Sequence, residues 1–378
     1  MTNRSILTTD LHTTVCRAIE RAGGWLGFDE FMALALYAPG LGYYASNLRK
    51  FGLMPGGVKG GGSDFVTAPE LSPRFGQTLA RQVGQALEAT GTSEIWEFGA
   101  GSGALALQLL DALGPLIERY RIVDLSGSLV ARQQSLLAAH AGKVQWATEL
   151  PAQMRGVVVG NEVLDAMPVK LLSRLGGVWH ERGVVLNQGR LTYADKRSGL
   201  RPPFEVLSNH DYLTEIHQQA EGFIGTLADR LQAGAIFLID YGFPEHEYYH
   251  PQRSMGTVMC HRGHLADGDA LAEVGSKDIT AHVNFTGIAL AGQEAGLEVL
   301  GYSSQGRFLL NCGLLDGMQA PAGVPLARDL AARAAVQKLL AEHEMGELFK
   351  AIGFAARTPG QPDWEALGFA EGDRSHRL

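Results

Sequence analysis

The chain has 378 residues, of which 46% are hydrophobic, with a formal charge of −8 and a pI near 5.8. That length allows one large domain with insertions or two smaller ones, and the negative charge argues against nonspecific nucleic-acid binding. Cys16, Cys260 and Cys312 are too scattered for a disulfide framework, and neither a signal-peptide core nor a bilayer-length apolar stretch is seen; a soluble cytoplasmic protein without membrane insertion is expected.

Residues 11–37 read as one helical stretch with Phe28, Phe31, Met32 and Leu36 on one face. A turn-rich "APGLGYYASN" follows, carrying Tyr43 and Tyr44. Five glycines between positions 56 and 62 form no packed element; they read as a surface linker or as a lid. The lid reading draws on the next segment, "DFVTAPELSPRFGQTLARQ", a turn that feeds an amphipathic helix. Thr67 and Glu70 in that turn are candidates to close over a ligand, with helix capping by Thr67 or Ser72 as the structural alternative.

"EIWEFGAGSGALA" (94–106) is an apolar strand that ends in an acid and breaks into alternating glycines before a helix. Such a unit presents backbone N–H groups and a helix N-terminus at one mouth. No Gly-Lys-Ser/Thr follows, which excludes a P-loop. Gly99, Gly101 and Ala104 satisfy a loose dinucleotide fingerprint, whereas Glu97 and Gly103 make the pattern E-x-G-x-G-x-G. The second pattern suits S-adenosylmethionine, whose cationic ammonium and sulfonium gain from a nearby carboxylate.

Alternating strands and helices then predict a doubly wound parallel sheet. "RYRIVDLS" ends in Asp124, placed to accept hydrogen bonds from a ribose diol or to cap a turn. "GKVQWATEL" carries Trp146, an adenine-stacking or core residue. A fourth strand runs into Asn161, Glu162 and Asp165, and a fifth, "GAIFLIDYG", ends at Asp240 and Tyr241. Ligands of such sheets bind at the carboxyl ends of the strands, where these groups converge.

Paired carboxylates can grip a guanidinium bidentately and help to remove its proton, a role open to Glu162 and Asp165. Their alternative is to cap a following helix, with Pro168 fixing the turn. Asp278, Thr280 and His282 are candidates for the acceptor pocket, His282 as proton relay or as structural donor. His246, His250, Cys260, His261 and His264 match no compact ligand set, and no metal is expected. A hairpin around Asn187–Gly189, a helix over 286–295, strands at 297–304 and 306–313, and a helical region at 325–352 complete the expected elements.

On "FMALALYAPGLGYY", "DFVTAPELSPRFGQTLARQ", "WEFGAGSGALA", "NEVLDAMPV", "LIDYG", "DITAHVNF", "SSQGRFLLNCG" and "EMGELFKAI", the chain resembles the MidA family of class I S-adenosylmethionine-dependent methyltransferases. That family includes the mitochondrial complex I assembly factor that methylates arginine. The matching stretches run in order from about residue 28 to 353. Departures are Ala68 for a usual Ser, Asn284 for a usual Asp, and Cys260 where an aromatic is expected. The resemblance implies a Rossmann-like class I methyltransferase fold and S-adenosylmethionine as cofactor. The expected organisation is an N-terminal helical and lid segment (1–75), a core (76–320) with insertions at 170–220 and 243–285, and a C-terminal helical region (321–378). The implied activity is methyl transfer to arginine of a partner protein, a respiratory-complex subunit among the candidates. The alternative is a non-catalytic assembly factor or chaperone that keeps the cofactor fold. Glu97 and "NEVLDAMPV" disfavour a dinucleotide oxidoreductase.

Overall fold

The apolar runs that end in acids pair into one sheet. In the computed structural model, which describes residues 2–46, 66–124, 127–262, 265–318, 327–356 and 363–378, its strands are β1 (Glu94–Phe98), β2 (Arg119–Val123), β3 (Val144–Ala147), β4 (Met154–Asn161), β5 (Leu231–Phe243), β6 (Leu297–Ser304) and β7 (Phe349–Ala356). Their spatial order is β6-β7-β5-β4-β1-β2-β3. β1 to β5 pair in parallel, and β7 runs antiparallel to both of its neighbours. The two-residue period of a strand sends successive β4 valines to opposite faces. Val157 and Val159 pack with helices Pro73–Thr90 and Ala104–Leu113, while Val158 packs with helices Gln218–Arg230 and Phe285–Glu294. Burial of each valine contributes about 1.5–3 kcal/mol, which is why a continuous apolar run suits this doubly covered sheet. Chain order reverses between β1 and β4, and the crevice at that switch point opens beyond the carboxyl ends of the strands.

The insertion between β4 and β5 builds a second, antiparallel sheet from Lys170–Leu175, Val178–Asn187, Arg190–Arg197 and Tyr212–Ile216, with Leu26–Gly27 on its edge. Its expected hairpin is present. Gln188 and Gly189 both have positive φ (49° and 78°), as a two-residue turn matched to strand twist requires. The insertion after β5 carries a three-stranded sheet of Met259–Arg262, Leu265–Asp267 and Asp278–Thr280.

Three expected elements differ. Residues 11–37 are two helices, Thr2–Arg21 and Phe28–Tyr37, because Gly23 and Gly24 turn the chain with φ of 76° and 95°. Residues 305–311 form a helix rather than a strand: Ser304 Oγ accepts the Arg307 N–H at its start, and Phe308 and Leu309 bury its inner face. The strand that does finish the sheet is β7, from the region expected to be helical, and all eight of its residues are buried. The segment after residue 321 therefore contributes to the core sheet as well as a helix, Ala327–Leu340.

Candidate functional site

At the end of β1 the chain makes a tight turn that only glycines take without strain. Gly99, Gly101 and Gly103 have φ of 63°, 54° and 85°. A Cβ on Gly99 would also meet Val163 Cγ2 at 3.1 Å. Gly103 is the N-cap of the helix that follows, and its place is at that helix start rather than in the cavity wall. One residue that carries no motif signal ties the loop down. Gln133, fully buried, donates from Nε2 to the Gly101 carbonyl and to Asp124 Oδ2, both at 3.0 Å, and its Oε1 accepts the Trp146 indole N–H at 2.8 Å. Trp146 is thereby engaged in the frame and does not line the cavity, so adenine stacking is not its place here.

Glu97 is 2% exposed, and its Oε2 accepts the Tyr120 hydroxyl at 2.6 Å. Burial, with a smaller contribution from Asp124, pushes its carboxyl up to about 8. A cation arriving beside it would favour the ionised form.

A cavity of about 1300 Å³ runs from this loop to the second insertion. Thr67, Glu97, Gly99, Gly101, Asp124 and Asn161 line it, and so do Tyr37, Tyr44, Glu162, Asp165, Asp278 and His282. The structure thus brings these candidate residues, and Thr280 and Tyr241 with them, to one cavity. Glu70 is the second exception with Gly103. It does not line the cavity; burial raises its pKa against the opposing pull of Ser102, and its Oε2 is buried with no hydrogen-bond partner among the described residues. Thr67 makes no side-chain cap, whereas Ser72 does cap the helix after it. The glycine stretch 56–62 and His264 lie outside the described residues.

No helix follows Glu162, so the capping alternative fails; residues 162–168 form a turn into the strand at Lys170. Glu162 sits in the left-handed region at φ 58°, uncommon for any residue but glycine, asparagine or aspartate. Its carboxylate accepts hydrogen bonds from Asn161 Nδ2 at 2.8 Å and from the Ala68 N–H. Burial, followed by the charge of Asp240, pushes it up to about 8. The same two causes, with Asp278 and Glu162 adding, hold Asp165 well above the usual carboxylate range. The turn is fixed by Asp240 at the end of β5, whose Oδ2 accepts the N–H groups of Val163, Leu164 and Asp165. Burial raises Asp240 to about 7 against those opposing hydrogen bonds.

His282 stacks on Tyr241, with centroids 6.2 Å apart and planes at 10°. Its backbone carbonyl accepts His217 Nε2 at 2.7 Å. Burial, then Arg253 and Lys350, lowers it to about 4, which makes it a weak base at neutral pH beside the carboxylates.

The chain is similar to known proteins over most of its length. A family model described as S-adenosyl-L-methionine-dependent methyltransferase matches residues 78–303. A crystal structure from Burkholderia thailandensis bound to S-adenosyl-homocysteine is 47% identical, with a TM-score of 0.91 over 100% of this chain and 99% of that one. A native structure from the same organism is 45% identical, with a TM-score of 0.88 and the same coverage. The mitochondrial protein arginine methyltransferase NDUFAF7 of Danio rerio is 25% identical over 84% of this chain and 81% of its own length. The human protein of that name is 26% identical over 78% of this chain and 71% of its own.

The site fits that cofactor on its own evidence. Three left-handed glycines open the backbone, Glu97 and Asp124 stand beside them, and Asn161 Oδ1 is buried with no hydrogen-bond partner among the described residues. With a family model over more than half of its length and a structural match end to end, the chain belongs to this family of S-adenosylmethionine-dependent methyltransferases.

Proposed function

We propose that the protein methylates arginine in a partner protein. The observation that carries this reading is the gathering of Glu162, Asp165 and Asp278 in the wall of the same cavity that the glycine loop lines. S-adenosylmethionine, held by Thr67, Glu97, Gly99, Gly101, Asp124 and Asn161, would supply an electrophilic methyl group. A guanidinium is a poor nucleophile until its charge is drawn away from the attacking nitrogen. Glu162 and Asp165 are the carboxylates to do that bidentately; burial raises Glu162 to about 8 in the empty site, and the charge of an arriving guanidinium favours its ionised form. The protein arginine methyltransferases among the relatives support the same acceptor. A non-catalytic assembly factor has no use for a glutamate held in left-handed backbone, a conformation that costs about 1–3 kcal/mol and persists where surrounding structure imposes it. The resemblance to a complex I assembly factor makes a respiratory-complex subunit the first partner to examine.

The test is incubation with labelled S-adenosylmethionine and extract of the source cell, followed by mass spectrometry of the labelled band. Methylarginine, lost with Glu162→Gln, is the expected result. Label on lysine, or equal labelling by Glu162→Gln, overturns the reading.

A further inference from the structure

Two tyrosines of the N-terminal segment line the cavity beside its acids. Tyr37, at the end of helix Phe28–Tyr37, donates its hydroxyl to the Ala166 carbonyl at 2.8 Å. Tyr44, in the next turn, places its hydroxyl 2.8 and 2.9 Å from the two oxygens of Asp278. The two rings stack, with centroids 5.6 Å apart and planes at 18°. The Ala281 N–H donates to the Asp165 carbonyl at 2.9 Å, joining the turn that bears Glu162 to the strand that bears Asp278. Three segments far apart in sequence thus lock Asp165 and Asp278 in place, both buried and both on the cavity wall. Glu162 and Asp165 each sense the charge of Asp278. A buried carboxylate is costly unless donors or a cation stabilise it, and the Tyr44 hydroxyl is one such donor to Asp278.

We propose that Asp278, aimed by Tyr44, is a second acceptor-binding carboxylate, so that a cationic side chain is held between Asp278 and Glu162 and the N-terminal segment forms part of the acceptor site. The inference rests on the arginine reading and deepens it. Glu162 comes from the sheet edge and Asp278 from the second insertion, so the two grip the acceptor from different segments. The five-donor fork of a guanidinium can serve two such carboxylates at once, while a neutral isostere gains from neither charge. Tyr44 is a positioning residue in this arrangement, since its hydroxyl acts through Asp278.

The test uses 1-butylguanidinium and its neutral counterpart 1-butylurea as probes, titrated into the full-length protein saturated with S-adenosylhomocysteine. The wild type is expected to bind the cation at least tenfold more tightly than the urea. Tyr44→Phe, which keeps the stacked ring, should lose about threefold of that preference, and Asp278→Asn most of it. Affinity for S-adenosylhomocysteine and for butylurea should stay as in the wild type. A merely structural defect would weaken both probes and the cofactor together, and would overturn the proposal. If Glu162→Gln loses the preference while Tyr44→Phe and Asp278→Asn keep it, the arginine reading stands and this inference falls. If the wild type shows no preference for the cation, both fall.

Discussion

Asp240 fixes Glu162 through the backbone: its Oδ2 accepts the N–H groups of Val163, Leu164 and Asp165 at 3.0, 2.8 and 3.2 Å, the three residues that directly follow Glu162. Glu162 in turn donates its own N–H to the Ile239 carbonyl at 2.9 Å, one residue before Asp240. The left-handed backbone of Glu162 is the consequence of these bonds on either side. Asp240→Ala removes the acceptor of four N–H groups, those of Val163, Leu164 and Asp165 and, through Oδ1, that of Tyr241, and each left unpaired costs about 1–3 kcal/mol where buried. Denaturant titration should show a loss of about 3 kcal/mol or more, together with loss of methyl transfer. An unchanged midpoint would show that water or side chains replace Asp240 without penalty.

Glu162 itself separates cofactor holding from chemistry. Glu162→Gln keeps the size and some hydrogen bonding but removes the charge that polarises a guanidinium. A lost charged hydrogen bond of this kind is worth roughly 1.5–3 kcal/mol, about one to two decades in rate if felt in the transition state. Calorimetry should find S-adenosylhomocysteine binding close to wild type while single-turnover transfer slows. Abolished cofactor binding would assign Glu162 a structural role instead.

Gln133 makes a sharper claim on the cofactor end. Gln133→Leu removes the donor shared by the Gly101 carbonyl and Asp124 and leaves the Trp146 indole without its acceptor. Two lost bonds at about 0.5–1.5 kcal/mol each imply roughly tenfold weaker S-adenosylhomocysteine binding, if the loop relaxes only in the free state. Asp124→Asn should weaken affinity in the same direction and spare turnover at saturation. Unaltered affinity in Gln133→Leu would mean that the loop glycines hold their geometry alone.

Gln133 also marks the limit of what could be read without coordinates. The strand, glycine turn and helix around Gly99 are local, so spacing alone locates them, and the acids at the ends of β2, β4 and β5 follow from parallel-sheet geometry. A glutamine on a helix face carries no such signal, because its partners Gly101, Asp124 and Trp146 meet it only after the sheet is wound. The bonds from Asp240 to the Glu162 turn are hidden for the same reason: 75 to 77 residues separate the partners. "GRFLLNCG" and "FKAIGFAA" are short apolar runs that suit either a buried helix or a buried strand, and tertiary packing decided each against the reading by periodicity. The break at Gly23–Gly24 is different: the glycine pair is a local turn signal, and reading 11–37 as one helix passed over it.

The buried acids should also make stability fall with pH across neutrality. Glu97 and Glu162 are pushed up to about 8 and Asp240 to about 7, in each case chiefly by burial. In the unfolded chain these groups titrate near 4. Between those limits the native state keeps protons that the unfolded chain has released. The stability they contribute is therefore complete below the unfolded values and lost as pH rises through the folded ones. His217 and His282, lowered to about 4 by burial, act in the opposite sense. Their contribution is complete above the ordinary histidine value of 6.5 and lost as pH falls through about 4. The two sets partly cancel below that value, whereas above it only the carboxylates act, each retained proton being worth about 1.4 kcal/mol per pH unit. Denaturant titrations at pH 5.5, 6.5 and 7.5 should thus show stability falling over both intervals, the histidines offsetting part of the loss in the first. Stability that holds level or rises between pH 6.5 and 7.5 would mean that these acids are already ionised in the native protein.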